Sequence, residues 1–141
     1  MRRRVFLGSA AAVGTALAGC LGSGGLSSQD YDIGMSSNAF KPVEYTATVG
    51  ETVVWGNPNS RAHSVTAYEN DIPAEAEYFA SGGFDSEQAA RKSWREERGR
   101  AGGKIFTGES YEHTFELPGE YRYFCIPHEY GGMKGTVYVE E

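Results

Sequence analysis

Cysteine is scarce in this chain. Two occur among 141 residues, beside three histidines and three methionines, which excludes a disulfide-dense scaffold and leaves few residues for any soft-metal site. Basic residues are few as well, 13 against 19 acidic, and an acidic surface argues against nucleic acid as a partner. No apolar run reaches the ~20 residues that a membrane-spanning helix needs. The nearest candidate, Val5–Gly19, is uncharged but short and rich in alanine and glycine. The length suits a single domain with one buried core.

That weakly apolar run reads instead as an export signal. Arg2, Arg3 and Arg4 precede it, Arg3-Arg4-Val5-Phe6-Leu7 resembles the twin-arginine pattern, and Leu17-Ala18-Gly19-Cys20 places small residues before a cysteine. Residues 1–19 are therefore expected to be a lipoprotein-type signal peptide, with Cys20 becoming the lipid-carrying first residue. An ordinary signal peptide or an uncleaved anchor is the alternative. Residues 20–30, rich in glycine and serine, read as a flexible tether. The expected location is the extracytoplasmic face of the cell membrane. Loss of residues 1–19 leaves ten basic and 19 acidic side chains, a net of −9. With Cys20 lipidated, Cys125 has no partner within the chain, and a lone thiol in an oxidising compartment is open to oxidation and cross-linking. Metal ligation would remove it from that chemistry.

From Tyr31 the chain reads as short strands. Thr46–Val49, the turn Gly50-Glu51 and Thr52–Trp55 form strand, turn and strand, ended by Gly56-Asn57-Pro58-Asn59. Ser64–Tyr68 is a further strand. Across 110–117, Tyr111, His113, Phe115 and Leu117 alternate with polar residues. Pro118-Gly119 then turns the chain into Glu120–Cys125, where Tyr121, Tyr123 and Cys125 share a face opposite Arg122 and Phe124. Tyr121 matches a tyrosine corner, whose hydroxyl ties down the turn. Gly135–Glu140 closes the domain. The pattern predicts an all-β fold, an antiparallel Greek-key β-sandwich over residues 31–141.

One stretch departs from the β pattern. Asp85–Arg98 contains no β-branched residue and predicts a short helical insertion, capped by Asp85 with Gln88 and ended at Gly99. Ala90 and Trp94 can cover the sandwich, and Glu87–Arg91 is a favourable i,i+4 pair. Six of the ten basic residues left after residue 19 lie between Arg91 and Lys104. A solvated helix is the expectation, and a docking patch the alternative.

The segment Tyr123–Met133, YFCIPHEYGGM, crowds Cys125, His128 and Met133 into a strand end and the loop behind it. A soft thiolate, an intermediate imidazole and a weak thioether suit copper cycling between Cu(I) and Cu(II); hard ions want oxygen donors, and structural zinc wants four strong ligands. One strong donor is missing. His63 opens a strand just past the Asn57-Pro58 turn and so falls at the end of the sandwich where the loop lies. His113 lies mid-strand and reads as a core or edge histidine. The expected metal ligands are His63, Cys125, His128 and Met133.

C-x2-H-x4-M with an upstream His-Ser-Val, after V-G-E-T-V-V-W-G-N, resembles the small blue copper proteins: plastocyanins, pseudoazurins and above all halocyanins. The resemblance runs from about Tyr31 to Glu141. It implies a cupredoxin-like sandwich and one type 1 copper, with Cys125, His63 and His128 in a trigonal plane and Met133 as the long axial ligand. Pro127 has no N–H to offer the sulfur. Two positions depart from the plastocyanin pattern. Ser64 replaces the common asparagine after the first ligand histidine, leaving its backbone N–H to bond the sulfur. Phe124, facing away from Cys125, replaces the surface tyrosine of plant plastocyanins, which weakens a lateral electron route. His128, rimmed by Pro58, Pro127 and Tyr130, is then the port.

The expected function is membrane-tethered, one-electron transfer between membrane-associated redox proteins, by a monomer and without catalysis, since every strong coordination position is filled by protein. Three histidines are too few for a multicopper oxidase, and one loop cysteine too few for a binuclear copper domain. The rival is an extracytoplasmic copper-binding or delivery protein. Nucleophilic catalysis at Cys125 would leave His63 and Met133 without a task.

Overall fold

The computed structural model describes residues 26–96 and 101–141. The export signal, Cys20 and the start of the tether lie outside these, as do residues 97–100, which include the expected helix stop at Gly99. Among the described residues no helix is long and apolar enough to cross a membrane.

Among the described residues eight strands and one α-helix follow in order, besides short 3-10 turns: β1 (Ile33–Met35), β2 (Phe40–Lys41), β3 (Glu44–Thr48), β4 (Thr52–Gly56), β5 (Thr66–Ala67), α1 (Glu87–Glu96), β6 (Ser110–Thr114), β7 (Gly119–Phe124) and β8 (Lys134–Glu140). They form two four-stranded sheets, ordered β2-β1-β4-β6 and β3-β8-β7-β5. The sandwich is as expected, but not its antiparallel character throughout. β1 runs parallel to β4, and β3 parallel to β8. Strand length and alternation specify that a strand exists, whereas its partner is set by long-range packing, so parallel pairs leave no local mark.

Alternation explains the core. In β7 and β8, Tyr121, Tyr123, Val137 and Val139 point inward while Arg122, Glu120 and Glu140 face water. Trp55 is the hub, its ring near Phe79, Tyr111, Phe115 and Tyr123 at centroid separations of 5.4–6.4 Å. Cys125 and Met133 belong to this same buried cluster, so the sulfur-bearing end of the domain is continuous with the core. The Tyr121 hydroxyl donates to the Leu117 carbonyl at 2.7 Å, the expected tyrosine corner. Leu117 itself is exposed, because the strand ends at Thr114 and the alternation is lost before it reaches the corner. Gly135 stands opposite Tyr123 in the β7–β8 register, and a Cβ there would collide with the tyrosine hydroxyl.

The insertion is helical, but its cap is Ser86 rather than Asp85: the Ser86 hydroxyl accepts from the Ala89 N–H at 3.1 Å. Ala90 is buried, the Trp94 ring lies against Gly102 and beneath the Lys104 ammonium, and Arg91 pairs with Glu87 at 2.8 Å as expected. Lys92 pairs with Glu96. The helix is therefore packed onto the outer face of the β5–β7 sheet edge and not simply solvated.

His113 is half-buried, stacked on Phe79 at 4.7 Å and edge-on to Phe115. Burial holds its pKa below 6.5, with Glu77 and Glu116 opposing only part of the shift. Because the unfolded chain then binds the proton more readily, His113 contributes stability that is full above 6.5 and is lost as pH falls below it. The melting temperature of the copper-loaded domain is expected to fall as pH drops below 6.5, and the slope to flatten in His113→Gln; equal slopes would show that His113 is not the group responsible.

Candidate metal centre

The β7–β8 hairpin carries three of the four expected ligands. Phe124 and Lys134 are paired residues of the ladder, and the connection between them continues it with a bond from the Cys125 N–H to the Met133 carbonyl at 3.0 Å. Between these lies a 3-10 turn, Ile126–Gly131, with proline in its first turn. His128 donates its N–H to the Cys125 carbonyl at 3.2 Å and accepts at its own carbonyl from the Met133 N–H at 3.2 Å. Gly132 closes the turn at φ 92°, a left-handed conformation that favours glycine. The crowding of Cys125, His128 and Met133 is thus one hairpin connection folded on itself.

His63 arrives from elsewhere. It lies on a short bridge to Ile105, exchanging both backbone hydrogen bonds with it at 3.1 and 2.8 Å. The buried Asn57 amide donates to the carbonyls of Arg61 and Ile105 at 2.8 Å each, fixing the loop before it. The His63 Nδ1 stands 3.6 Å from the Cys125 Sγ, and the His128 Nδ1 3.4 Å from it. Two bonds of about 2.0–2.3 Å to one ion, at tetrahedral to trigonal angles, separate their donors by roughly 3.5 Å. The spacing and the donor types both fit one soft ion. Among the described residues His63, Cys125 and His128 are the His, Cys and acidic side chains that converge in this way. Met133 is fully buried and belongs to the same apolar cluster as Cys125. His113 is not part of the group.

Burial governs the protonation of these donors. It is the largest cause holding His63 down at about 4, reinforced by His128 and Arg61, with the Ser36 backbone opposing. Its imidazole is therefore neutral at ordinary pH and its lone pair available. Burial likewise lowers His128, with Arg61 adding to the effect. The Cys125 thiol is pushed up to about 11 by burial, against hydrogen bonds from the Ser64 and His128 backbone. A thiol so placed is a poor nucleophile by itself, whereas a bound cation holds it as thiolate.

Ser64, the departure from asparagine, braces the site in two ways. Its N–H reaches the Cys125 Sγ at 3.4 Å, and its hydroxyl accepts from the Ile126 N–H at 2.9 Å. The serine thereby bonds both the sulfur and the start of the ligand turn. Phe124 points away from Cys125 as expected, but its ring is completely buried: Tyr68 stacks on it at 4.4 Å and the Arg91 guanidinium lies over it at 4.2 Å. The rim around His128 differs from the apolar one expected. Pro58, Pro127 and Tyr130 are exposed, yet the Arg61 guanidinium stands 3.4 Å from the His128 Nε2, placing a positive charge at the edge of the ring. Residue spacing did not signal that contact.

Sandwich and donor set together define a small protein with one mononuclear site for a soft, redox-active metal. The family model for copper binding proteins of the plastocyanin/azurin type matches residues 28–140. The chain is 34% identical over 110 residues to plastocyanin from Scenedesmus fuscus, covering 77% of this chain and 95% of that one. It is 31% identical over 133 residues to chloroplastic plastocyanin from Tetradesmus obliquus, covering 93% and 80%. It shares its fold with an oxidised amicyanin variant, at a TM-score of 0.52 and 22% identity over 82% of this chain and 86% of that one. A copper-containing nitrite reductase from Thermus scotoductus SA-01 also aligns, at a TM-score of 0.55 and 27% identity, over 77% of this chain but 22% of the enzyme. The chain belongs to the plastocyanin/azurin family of copper binding proteins. It is a cupredoxin, a one-copper protein of the electron-transfer type.

Removing the Ser64 hydroxyl leaves the Ile126 N–H without its partner inside the site, a loss of about 1–3 kcal/mol. Ser64→Ala is expected to unfold at lower denaturant and to release copper to a chelator faster than the parent. Unchanged copper retention would mean that the turn is held without this brace.

Proposed function

We propose that the chain is a membrane-tethered, halocyanin-like carrier that passes single electrons between membrane-associated redox proteins, with Cys125, His63 and His128 as the strong copper ligands and Met133 as the weak fourth. The observation that carries this reading is the convergence of two imidazole Nδ1 atoms on one buried sulfur, at 3.6 and 3.4 Å. Copper bound there supplies the one-electron chemistry of the Cu(I)/Cu(II) couple.

The chain's own residues supply everything else. The hairpin connection and the His63–Ile105 bridge hold the donors at fixed spacing, so little need move when the charge on the site changes. The complete burial of His63, Cys125 and Met133 keeps bulk water from three of the four donors. That burial also disfavours the delivery reading, since a site built to hand on its metal must expose its ligands. His128 is the one strong donor that is partly exposed, which makes its ring the port for electrons. The covered Phe124 supports a single port, because the lateral face is closed by Tyr68 and Arg91. Tethering rests on the Arg2–Arg4 cluster and the Leu17–Cys20 pattern.

Adding Cu(II) to the purified domain tests the ligand assignment. An intense blue colour is expected, lost in Cys125→Ser, and slow release of copper to a mild chelator; a pale protein would refute the thiolate site, and rapid release would favour delivery. For the tether, Cys20→Ser is expected to move the protein from the membrane to the soluble fraction of its host. Persistent membrane association in that variant would refute lipid attachment at Cys20.

A further inference from the structure

The insertion does more than cover a sheet edge. The ligand turn carries one acidic residue, Glu129, directly after His128, and its carboxylate points back toward α1. There it accepts two bonds from the Arg91 guanidinium, at 2.7 and 3.2 Å, and a third from the Tyr68 hydroxyl at 2.6 Å. The same guanidinium is held from behind by Glu87 at 2.8 Å and lies over the ring of Phe124, its central carbon 4.2 Å from the ring centroid. Tyr68 completes the enclosure by stacking on Phe124 and donating to Glu129. One planar cation therefore touches the residue before Cys125 and the residue after His128. Glu87 and Glu129 are partly buried, with 23% and 17% of their side chains exposed, so the contacts are not those of a freely solvated surface pair.

We propose that Arg91 is a positioning residue of the copper site, whose guanidinium clasps the Phe124–Glu129 segment at both ends and so fixes where His128 stands relative to Cys125. The inference rests on the ligand assignment given above. The fork geometry matters here, since one group bonds the Glu129 carboxylate through two N–H groups and Glu87 through its far side while sitting over the Phe124 ring; a lysine ammonium supplies the charge but not the paired donors. Arg91 also balances Glu129 and Glu87. Its loss removes one positive charge from between two carboxylates and leaves this side of the site more negative, which favours Cu(II) over Cu(I) and lowers the reduction potential.

Position and charge separate experimentally. In the copper-loaded protein, Arg91→Gln is expected to change the relative intensities of the thiolate-to-Cu(II) bands and to lower the potential. Arg91→Lys is expected to keep the potential near that of the parent while showing the same spectral change. Glu129→Gln, which removes the carboxylate, is expected to raise the potential and alter the spectrum in the same sense. Lys92→Gln, on the same helix but paired with Glu96 and away from the turn, is the control and should match the parent. Should Arg91→Gln fail to fold, Arg91→Lys and Glu129→Gln read the same two quantities. A blue parent whose Arg91 and Glu129 variants lose only melting temperature, with spectrum and potential unmoved, would overturn the inference alone. A colourless parent would overturn the ligand assignment, and this inference with it.

Discussion

A buried sulfur is costly to surround with the right groups, and the arrangement about Cys125 is what the rest of the domain serves. Its Sγ receives the Ser64 N–H and faces the Nδ1 atoms of His63 and His128. These groups come from two separate parts of the chain, some sixty residues apart. Neither part can supply the site alone: the hairpin connection holds Cys125, His128 and Met133, and the segment at His63 closes the cage from the facing side. The Ser64–Ile126 hydrogen bond joins the two directly. A β-sandwich suits this task because the ends of strands from different sheets meet at one pole.

The core explains why that pole stays in place. Cys125 and Met133 are packed into the same apolar cluster as Trp55, Tyr121 and Tyr123, so a shift of the sulfur would disturb close-packed aromatics. Outside the sandwich, α1 presses on the opposite face of β7 through Phe124 and on the ligand turn through Glu129. The end of β7 is thus supported on both faces. An electron-transfer site gains from this, since a cage that resists movement lets the metal change charge with little rearrangement around it.

Much of this was legible in residue order. The strands from Thr46 onward, the tyrosine corner at Tyr121, the helix near 87–96 and the His63–Cys125–His128 grouping all follow from local pattern and donor chemistry. His113 could be set aside because a mid-strand position keeps it from the loops. What escaped was long-range or side-chain specific. The parallel pairings depend on which strand ends come together, and short β1 and β2 carry too few residues for a pattern. The second bond made by Ser64, the approach of Arg61 to His128 and the reach of Arg91 to Glu129 across 38 positions depend on side-chain direction. Arg91 was readable as the partner of Glu87 because i,i+4 spacing is a local rule; its second partner obeys none.

The central claim is that the chain, rather than the metal, holds the donors in place. Crystal structures of the copper-free and Cu(II)-loaded domain test it most directly, through the distances from the Cys125 Sγ to the Nδ1 atoms of His63 and His128. The expected result is that both stay within about 0.5 Å of each other between the two forms, with the Ser64–Ile126 bond intact. A copper-free structure in which His128 swings out into solvent, or in which residues 126–131 adopt a different turn, would contradict it.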